Sequence, residues 1–291
     1  MKLNLPTFRR AALLLALPLA LAACAKAPQP ANPALWKVES ANGKIGYLFG
    51  TIHTAPRPLD WRTPAVGKAL DASGTVMVEV ANLADEKAVA ATFARLAHGA
   101  GEPPLSQRVP AADRKALAAL LAKGGYHDGD FAATDTWAAA LMLARIGQGA
   151  DDGKNGVDRA IIAAAPPRPV VELEGAEKQL SLFDSLSEAD QRQFLSEVVR
   201  EADTPDTDIS QDWAKGDMTA LTAETRRGLL AVPDLRAVLF TGRNRDWSGR
   251  IAAAIATGKR PFVAVGAAHM AGPDGLPAIL ASQGFRVTRV E

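Results

Sequence analysis

The fold is decided by two stretches of sequence, YLFGTIH at residues 47–53 and FVAVGAAH at residues 262–269. Each is an apolar run typical of a buried strand, followed by glycine, two residues and histidine. A glycine at the end of a strand lets the chain turn sharply because it has no Cβ. The pattern therefore predicts that His53 and His269 lie just beyond the carboxyl ends of two strands, the edge where open α/β sheets bind ligands.

Further strands and helices are predicted around these two stretches. Apolar runs rich in β-branched residues predict strands over residues 75–80, 169–173 and 285–290. Apolar spacing and helix-ending glycines predict helices, the clearest of which cover residues 85–98, 111–123, 134–147, 187–202 and 243–257. Strands that alternate with helices predict an α/β fold, a layered sheet with flanking helices. The helices between about residues 85 and 165 predict a cap or insertion over one face.

The N-terminus has the pattern of a secretory signal. Residues 1–23 contain three basic residues and then a short apolar run, which is too short for a comfortable membrane span. The run ends in LAAC at residues 21–24, which resembles a bacterial lipobox and predicts a lipidated Cys24. Residues 24–35 then form a proline-rich tether, and residues 36–291 form the domain. A plain signal peptide with a chance cysteine is the alternative. By resemblance to bacterial lipoproteins, Ala25 rather than aspartate after the cysteine favours an outer-membrane anchor that faces the periplasm.

Composition excludes several classes of protein and site. The chain has 291 residues, a formal net charge of +1 and 5% aromatic residues, which argues against a nucleic-acid partner. With Cys24 as the one cysteine, a disulfide framework, a zinc–thiolate site and a buried cysteine nucleophile are excluded. The sequence also lacks the Gly-x-Ser-x-Gly elbow, the P-loop, the His-Glu-x-x-His motif and the Gly-x-Gly-x-x-Gly fingerprint.

Two carboxylates follow predicted strands as the two histidines do. Glu79 lies at the end of the valine-rich run at residues 75–80, and Glu174 follows the strand at residues 169–173. Two imidazoles and a carboxylate with open positions suit a catalytic divalent metal. The same groups can perform general acid–base catalysis without a metal.

Structural roles are the alternatives for these residues. A histidine after a strand can simply bond a backbone carbonyl, because buried polar groups need partners. Glu79 can form a salt bridge in the core, with Arg243, Arg245 or Arg250 as its partner. In that case the protein is an envelope assembly partner, and alanine at both histidines would reduce stability alone.

Several short segments, in this order and spacing, resemble the TraB/GumN family, which includes the bacterial pheromone-shutdown proteins and is similar to the animal Tiki proteases. The resemblance extends from about Trp36 to Val290. The segments are YLFGTIH at 47–53, VEV at 78–80, GVD at 156–158, LEGAEKQL at 173–180, WAKGD at 213–217, RNRDW at 243–247 and VGAAH at 265–269. One departure is Gly175, where the family often has threonine, which leaves the contacts of Glu174 open.

The resemblance implies specific roles for residues of this chain. His53, His269 and Glu79 would hold a divalent metal, manganese or cobalt by resemblance, with zinc or iron as alternatives. Glu79, Arg243 and Asn244 would be catalytic, as the base for a metal-bound water or as groups that stabilise negative charge. Gly50, Gly266 and Glu174 would support the site.

We therefore expect an envelope-anchored, metal-dependent hydrolase, a peptidase by resemblance, that acts on a peptide or small molecule. It would contact the membrane through its lipid anchor alone. The alternative is a non-catalytic periplasmic binding lipoprotein for a peptide, a pheromone, haem or a polysaccharide-related ligand.

Overall fold

A six-stranded sheet is the centre of the computed structural model, which describes residues 27–82, 85–99, 101–148, 152–204 and 209–291. Its strand order is β6-β5-β7-β3-β2-β8, and β1 pairs with β4 separately. The strands are β1 (Gln29–Pro30), β2 (Leu35–Glu39), β3 (Ile45–Thr51), β4 (Leu59–Asp60), β5 (Thr75–Val78), β6 (Val170–Glu172), β7 (Pro261–Gly266) and β8 (Arg286–Arg289). The α/β fold predicted from the sequence is confirmed.

Helices surround the sheet and form a second body beside it. The α-helices are α1 (Pro64–Ala72), α2 (Glu86–Leu96), α3 (Leu105–Arg108), α4 (Arg114–Gly124), α5 (Thr136–Gln148), α6 (Val157–Ala164), α7 (Gly175–Asp184), α8 (Glu188–Asp203), α9 (Ile209–Ala214), α10 (Met218–Glu224), α11 (Pro233–Arg236), α12 (Gly242–Ala256) and α13 (Leu276–Ser282). Short 3₁₀ turns include Asp152–Asn155 and Ala267–Met270, and a π-helical turn, Ala237–Thr241, leads into α12.

The four strands β6, β5, β7 and β3 are parallel neighbours, whereas β2 and β8 continue the sheet in antiparallel pairs. Gly50 of β3 is in register with Val265 of β7, and Val78 of β5 is in register with Ala264 of β7. Because these strands are parallel and in register, the residues that follow them meet at one edge of the sheet. This carboxyl edge is the one predicted from the two Gly-x-x-His stretches.

Alternating side chains along the strands fill two separate cores. On one face Phe49 and Phe262 pack with α1, α6 and Trp213, and on the other face Leu48 and Val263 pack with α12 and α13. This alternation follows from the two-residue period of a strand. A third core lies among helices alone, built from α2, α4, α5 and α8 around the fully buried Trp137.

The helical body differs in extent from the segment predicted as a cap. Helices α2 to α5 belong to it, and α7 and α8 pack on them through Phe183 and Phe194. Helix α6 packs on the sheet instead, because Val157 and Ile161 point into the sheet core. An apolar stripe shows that a helix is amphipathic but not what its apolar face contacts, so the sequence does not distinguish these cases.

Residues assigned to the tether are in part bound to the domain. Gln29 and Pro30 pair with β4, Asn32 N donates to Ala214 O at 2.6 Å, and Leu35 is 1% exposed. Strand β2 and helix α1 were not predicted, although the Thr63–Pro64 pair is a typical helix start: the Thr63 hydroxyl accepts a hydrogen bond from Val66 N.

The predicted signal peptide and Cys24 lie outside the described residues. Among the helices that the structure describes, none combines the length and apolarity needed to cross a membrane.

Candidate functional site

Four neighbouring parallel strands each place a titratable side chain at the carboxyl edge. Glu174 follows β6, Glu79 follows β5, His269 follows β7 and His53 follows β3. The strand order therefore arranges two carboxylates and two imidazoles side by side, although they come from widely separated parts of the chain. The hydrogen bonds of each group show what the arrangement can do.

His53 is open to solvent and paired with an aspartate. Its side chain is 66% exposed, and Nδ1 lies 2.7 Å from Oδ2 of Asp158, the second residue of α6. An ionised carboxylate can only accept, so Nδ1 carries the proton and Nε2 of the neutral ring is a free acceptor. The hydrogen bond with Asp158 raises the pKa of His53 above its ordinary value of 6.5, and the negative charge of Glu79 acts in the same direction. A histidine in this state is suited to accept a proton.

His269 has the same local Gly-x-x-His sequence as His53 but lies in a different environment. It is 6% exposed, and its ring packs between Phe240 and Trp247 at centroid distances of 5.4 and 4.6 Å. Nδ1 lies 2.6 Å from Asn244 Oδ1, and Nε2 lies 3.3 Å from Arg243 Nη1. Arginine can only donate, so Nε2 accepts and Nδ1 donates. Burial lowers the pKa of His269 to about 3, which keeps the ring neutral at neutral pH.

Asn244 orients His269 through a hydrogen bond. The asparagine is fully buried, and its Nδ2 donates to Asp274 O at 2.7 Å, which fixes the amide so that Oδ1 faces the imidazole. Asn244 thus reaches His269 but not the open cleft. The catalytic role predicted for it stays a prediction, and the contacts describe a positioning residue.

Arg243 bridges the two carboxylates. Its Nη2 donates to Glu79 Oε2 at 2.6 Å and to Glu174 Oε1, and its Nε donates to Glu174 Oε2 at 3.3 Å. The guanidinium lies over the ring of Trp247, 4.5 Å from its centroid. Of the three arginines considered as partners of Glu79, the structure selects Arg243, one helical turn beyond Leu239, whose carbonyl also binds its guanidinium.

The two carboxylates have opposite pKa shifts. Burial raises the pKa of Glu79, but two positive charges outweigh burial and lower this pKa to about 2: that of His269, which is protonated only below about pH 3, and that of Arg243. The N–H of Gly266 adds to this by donating to Oε1 at 2.7 Å. Burial raises the pKa of Glu174, and Arg243 offsets that only in part. Glu79 is therefore a fixed negative charge at neutral pH.

A small cleft gives access to part of this network. It measures about 30 Å³, enough for one or two water molecules. Its polar lining residues are His53, Asp158, Glu79, Gln179 and Thr51, and its apolar lining residues are Val78, Val80, Ile162, Ala264 and Val265. The titratable groups that line the cleft are thus His53, Asp158 and Glu79, whereas Arg243 and His269 are not among its lining residues.

Two residues of the site were not singled out from the sequence. Asp158 orients His53, and Gln179 donates from Nε2 to Glu79 Oε2 at 3.0 Å. Both lie in segments that resemble the TraB/GumN family, GVD at 156–158 and LEGAEKQL at 173–180. This resemblance was the signal in the sequence that could have identified them as site residues. Their side chains reach the edge from α6 and α7. The sequence predicts a short helix that ends near Ala165, which is α6, but not α7.

The two motif glycines act differently from the sharp turn that we expected. Gly50 and Gly266 are not among the glycines with positive φ. A Cβ on Gly50 would lie 2.9 Å from the Cα of Ala267, so this glycine is needed for close approach of two backbone segments. Gly266 instead supplies the N–H that binds Glu79.

The predicted divalent metal does not fit the donor atoms as they are arranged. Among the described residues no three His, Cys, Asp or Glu side chains form a group that could hold a metal ion. Arg243 already binds Glu79 and Glu174 and faces Nε2 of His269, so the acceptors of a cation site are engaged by a guanidinium. Metal dependence remains a prediction, and no step below depends on a metal.

Gly156 lies close to both His53 and Asp158, and its lack of a Cβ leaves room for their contact. A Cβ at this residue would lie 2.5 Å from His53 O and 2.6 Å from Asp158 Oδ1. We expect Gly156→Ala to displace the loop and to lengthen the His53–Asp158 contact, so that the pKa of His53, measured by an NMR titration, falls from its raised value. Gly153→Ala is the matched control, since a Cβ there meets no atom within 4 Å. An equal pKa of His53 in the two variants would contradict this role.

Comparison with known proteins agrees with the motif analysis. A model of the TraB/PrgY/gumN family matches residues 34–289, nearly the whole chain. Comparisons with the curated proteins and with the solved structures give no match. The matched range includes all four strand ends described above, together with Asp158, Gln179 and Arg243. The chain belongs to the TraB/PrgY/gumN family.

Proposed function

We propose that this protein is a hydrolase in which His53 is the general base for attack of water on a carbonyl carbon. One observation carries the proposal: the solvent-exposed His53 donates from Nδ1 to Asp158 at 2.7 Å and lines a water-sized cleft beside ionised Glu79. A buried acceptor on Nδ1 fixes the tautomer with Nε2 free, which is the form that removes a proton from water.

The chemistry follows from these contacts. Nε2 of His53 takes a proton from a water molecule as the water oxygen bonds to the substrate carbonyl carbon. The imidazolium that forms is stabilised by Asp158 and by the charge of Glu79, both of which favour the protonated ring. The same imidazolium then returns the proton to the leaving group, which departs as the carbonyl re-forms.

Other residues of the cleft support this reaction. Gln179 uses one amide N–H to hold Glu79, and its second N–H is a donor for the carbonyl oxygen as negative charge develops there. With a pKa of about 2, Glu79 cannot supply a proton at neutral pH, so its role is electrostatic. Arg243, which is not among the lining residues of the cleft, stabilises Glu79 and Glu174 in their ionised forms.

We extend this proposal to the class of substrate and to the location of the protein. A peptide bond is proposed because the sequence resembles the Tiki proteases, and the cleft must widen to admit one. The envelope location rests on the N-terminal pattern and on Cys24, which would carry the lipid anchor.

Asp158→Asn tests the proposed base. An Asn amide can donate to Nδ1 and select the wrong tautomer, so we expect a roughly 100- to 10,000-fold fall in kcat on a peptide-library substrate. Because Asp158 raises the pKa of His53, the acidic limb of the kcat/KM profile should also move to lower pH. A pH–rate profile of the purified protein measures both effects.

Asp130→Asn is the matched control, because Asp130 lies 3.5 Å from the exposed His127 in a similar pair away from the cleft. Asp158→Asn with unchanged turnover and an unchanged profile would eliminate His53 as the base. Peptide binding without turnover by the unaltered protein would instead favour the binding lipoprotein.

A further inference from the structure

A second cavity lies away from the cleft, between helix α12 and the outer strands β5 and β6. It measures about 280 Å³, against about 30 Å³ for the cleft. Its floor is formed by Thr75, Met77 and Val171, whose side chains share one face of the sheet because Met77 is in register with Val171. Its wall includes Ala253 of α12 and Thr257, which follows α12. We call this cavity the α12 groove, and it shares no lining residue with the cleft.

The α12 groove presents apolar groups to solvent. Val171 on its floor is 37% exposed, which is unusual for a large apolar side chain of this protein. The threonine hydroxyls of the groove already have partners: Thr75 Oγ1 donates to Pro169 O at 3.0 Å. Thr257 Oγ1 donates to Ala253 O at 2.9 Å. Ligand sites are typically concave and mostly apolar, so this lining suits an alkyl chain.

The charged residues that line the groove are both positive. Arg250 lies near the carboxyl end of β6, where Nη2 donates to Glu172 O at 2.8 Å and Nη1 donates to Leu173 O. Lys259 lies beside the start of β5, and among the described residues its ammonium group makes no hydrogen bond or ion pair. A free ammonium group beside an apolar groove complements a ligand with a negative head and an apolar chain.

A peptide strand fits this place less well than a small amphiphile, although β6 is an edge strand. Extended peptides add to an exposed edge through its outward-facing backbone groups. Leu173 N donates to Val78 O, so Leu173 faces β5 and the backbone of the preceding residue, Glu172, faces outward. The carbonyl of Glu172 is already bound by Arg250, which protects the edge. A small ligand on the floor of the groove leaves that bond intact.

We propose that the α12 groove binds a medium-chain carboxylate, whose alkyl chain lies along Met77 and Val171 and whose carboxylate pairs with Lys259. The stretch of α12 from Arg250 to Thr257 is about 10 Å long at about 1.5 Å per residue, which sets the length of chain that the groove covers. The inference does not rest on the proposed hydrolase function, because the groove and the cleft have no lining residue in common.

The experiment is a calorimetric titration of the purified protein with three single-chain probes below their micelle concentrations. Decanoate should bind at about one molecule per chain. Hexanoate should bind at least about 10-fold more weakly, because each buried methylene group contributes up to about 4-fold in affinity. Decyltrimethylammonium has the same chain as decanoate and the opposite charge. It should bind at least about 5-fold more weakly, because both charged residues of the groove are positive.

Two variants separate the chain from the head group. Ala253→Phe fills the groove from an exposed position and should weaken decanoate binding at least about 10-fold. Ala118→Phe, at an exposed position of α4, is the matched control and should bind decanoate as the unaltered protein does. Lys259→Gln should weaken decanoate binding by about 2- to 5-fold, the usual contribution of an exposed ion pair, and should not weaken decyltrimethylammonium binding. Lys115→Gln is its control.

Several outcomes overturn the inference. Absence of saturable decanoate binding below about 1 mM is one of them. Equal decanoate affinity of Ala253→Phe and Ala118→Phe would place the ligand elsewhere. Decyltrimethylammonium binding as tight as that of decanoate would contradict the role of Lys259. A valine-rich peptide that binds and displaces decanoate would assign the groove to strand addition. Circular dichroism checks the fold of each variant, and Lys259→Gln, at an exposed position, tests the site if Ala253→Phe does not fold.

Discussion

His53→Gln is expected to abolish hydrolysis while the protein stays folded. Glutamine has no group that can take a proton from water at neutral pH, so kcat/KM should fall by roughly 100- to 10,000-fold, the usual contribution of a general base. The melting temperature should change little, because the side chain is 66% exposed and, among the residues that the structure describes, makes its polar contact with Asp158. Turnover of a peptide-library substrate and thermal unfolding are measured on the same preparation.

The chain provides a matched control in His127, a second histidine paired with an aspartate. Its side chain is 90% exposed, and it does not line the cleft. His127→Gln should retain the activity of the unaltered protein. Full turnover in His53→Gln would assign the chemistry to another group, and loss of peptide affinity together with turnover would point to a binding role for His53.

His269 should make the folded protein sensitive to acid. Its pKa is about 3 in the fold and about 6.5 in the unfolded chain. Below pH 6.5 the unfolded chain therefore binds a proton that the native state does not, and stability declines as the pH falls towards 3. Between pH 7 and pH 4.5 this amounts to about 2 to 3 kcal/mol, from about 1.4 kcal/mol per pH unit below 6.5.

His269→Gln should remove this part of the pH dependence, because a glutamine amide can still donate to Asn244 without titrating. Urea unfolding at pH 7 and pH 4.5 measures the difference between the two proteins. Glu79 stays ionised over this range, and any titration of Glu174 is common to both. His127→Gln should keep the pH dependence of the unaltered protein. Parallel stability curves for His269→Gln and the unaltered protein would show that His269 binds its proton in the fold.

Sequence patterns predicted the central elements well because strands have a short, local signature. The runs at residues 47–49 and 262–265 are apolar on both faces, as buried parallel strands are, and each ends at its glycine. Helices with a strong apolar stripe were also predicted close to their observed bounds, α8 being the clearest. Strand β2 and helices α1 and α7 were not predicted, because their apolar patterns are short or are broken by charged residues.

The sequence predicted the edge of the sheet at which the candidate site lies, but not the contacts within that site. Four residues after four strands, His53, Glu79, Glu174 and His269, were expected to meet if those strands are parallel neighbours, and they do. Asp158, which accepts a hydrogen bond from His53 and raises its pKa, was not singled out, because it lies on a helix about 100 residues away in sequence. Such a contact depends on how α6 packs, and no local pattern encodes that.

By itself the sequence determined the α/β class, the family and the edge at which His53 and His269 lie, because strand period, glycine position and motif order are local properties of the chain. Only the tertiary structure decided that the two histidines differ. Identical Gly-x-x-His surroundings in sequence become an exposed ring on Asp158 and a buried ring between Asn244 and Arg243. The physical reason is that burial and charge partners, which set the state of an imidazole, come from helices distant in sequence.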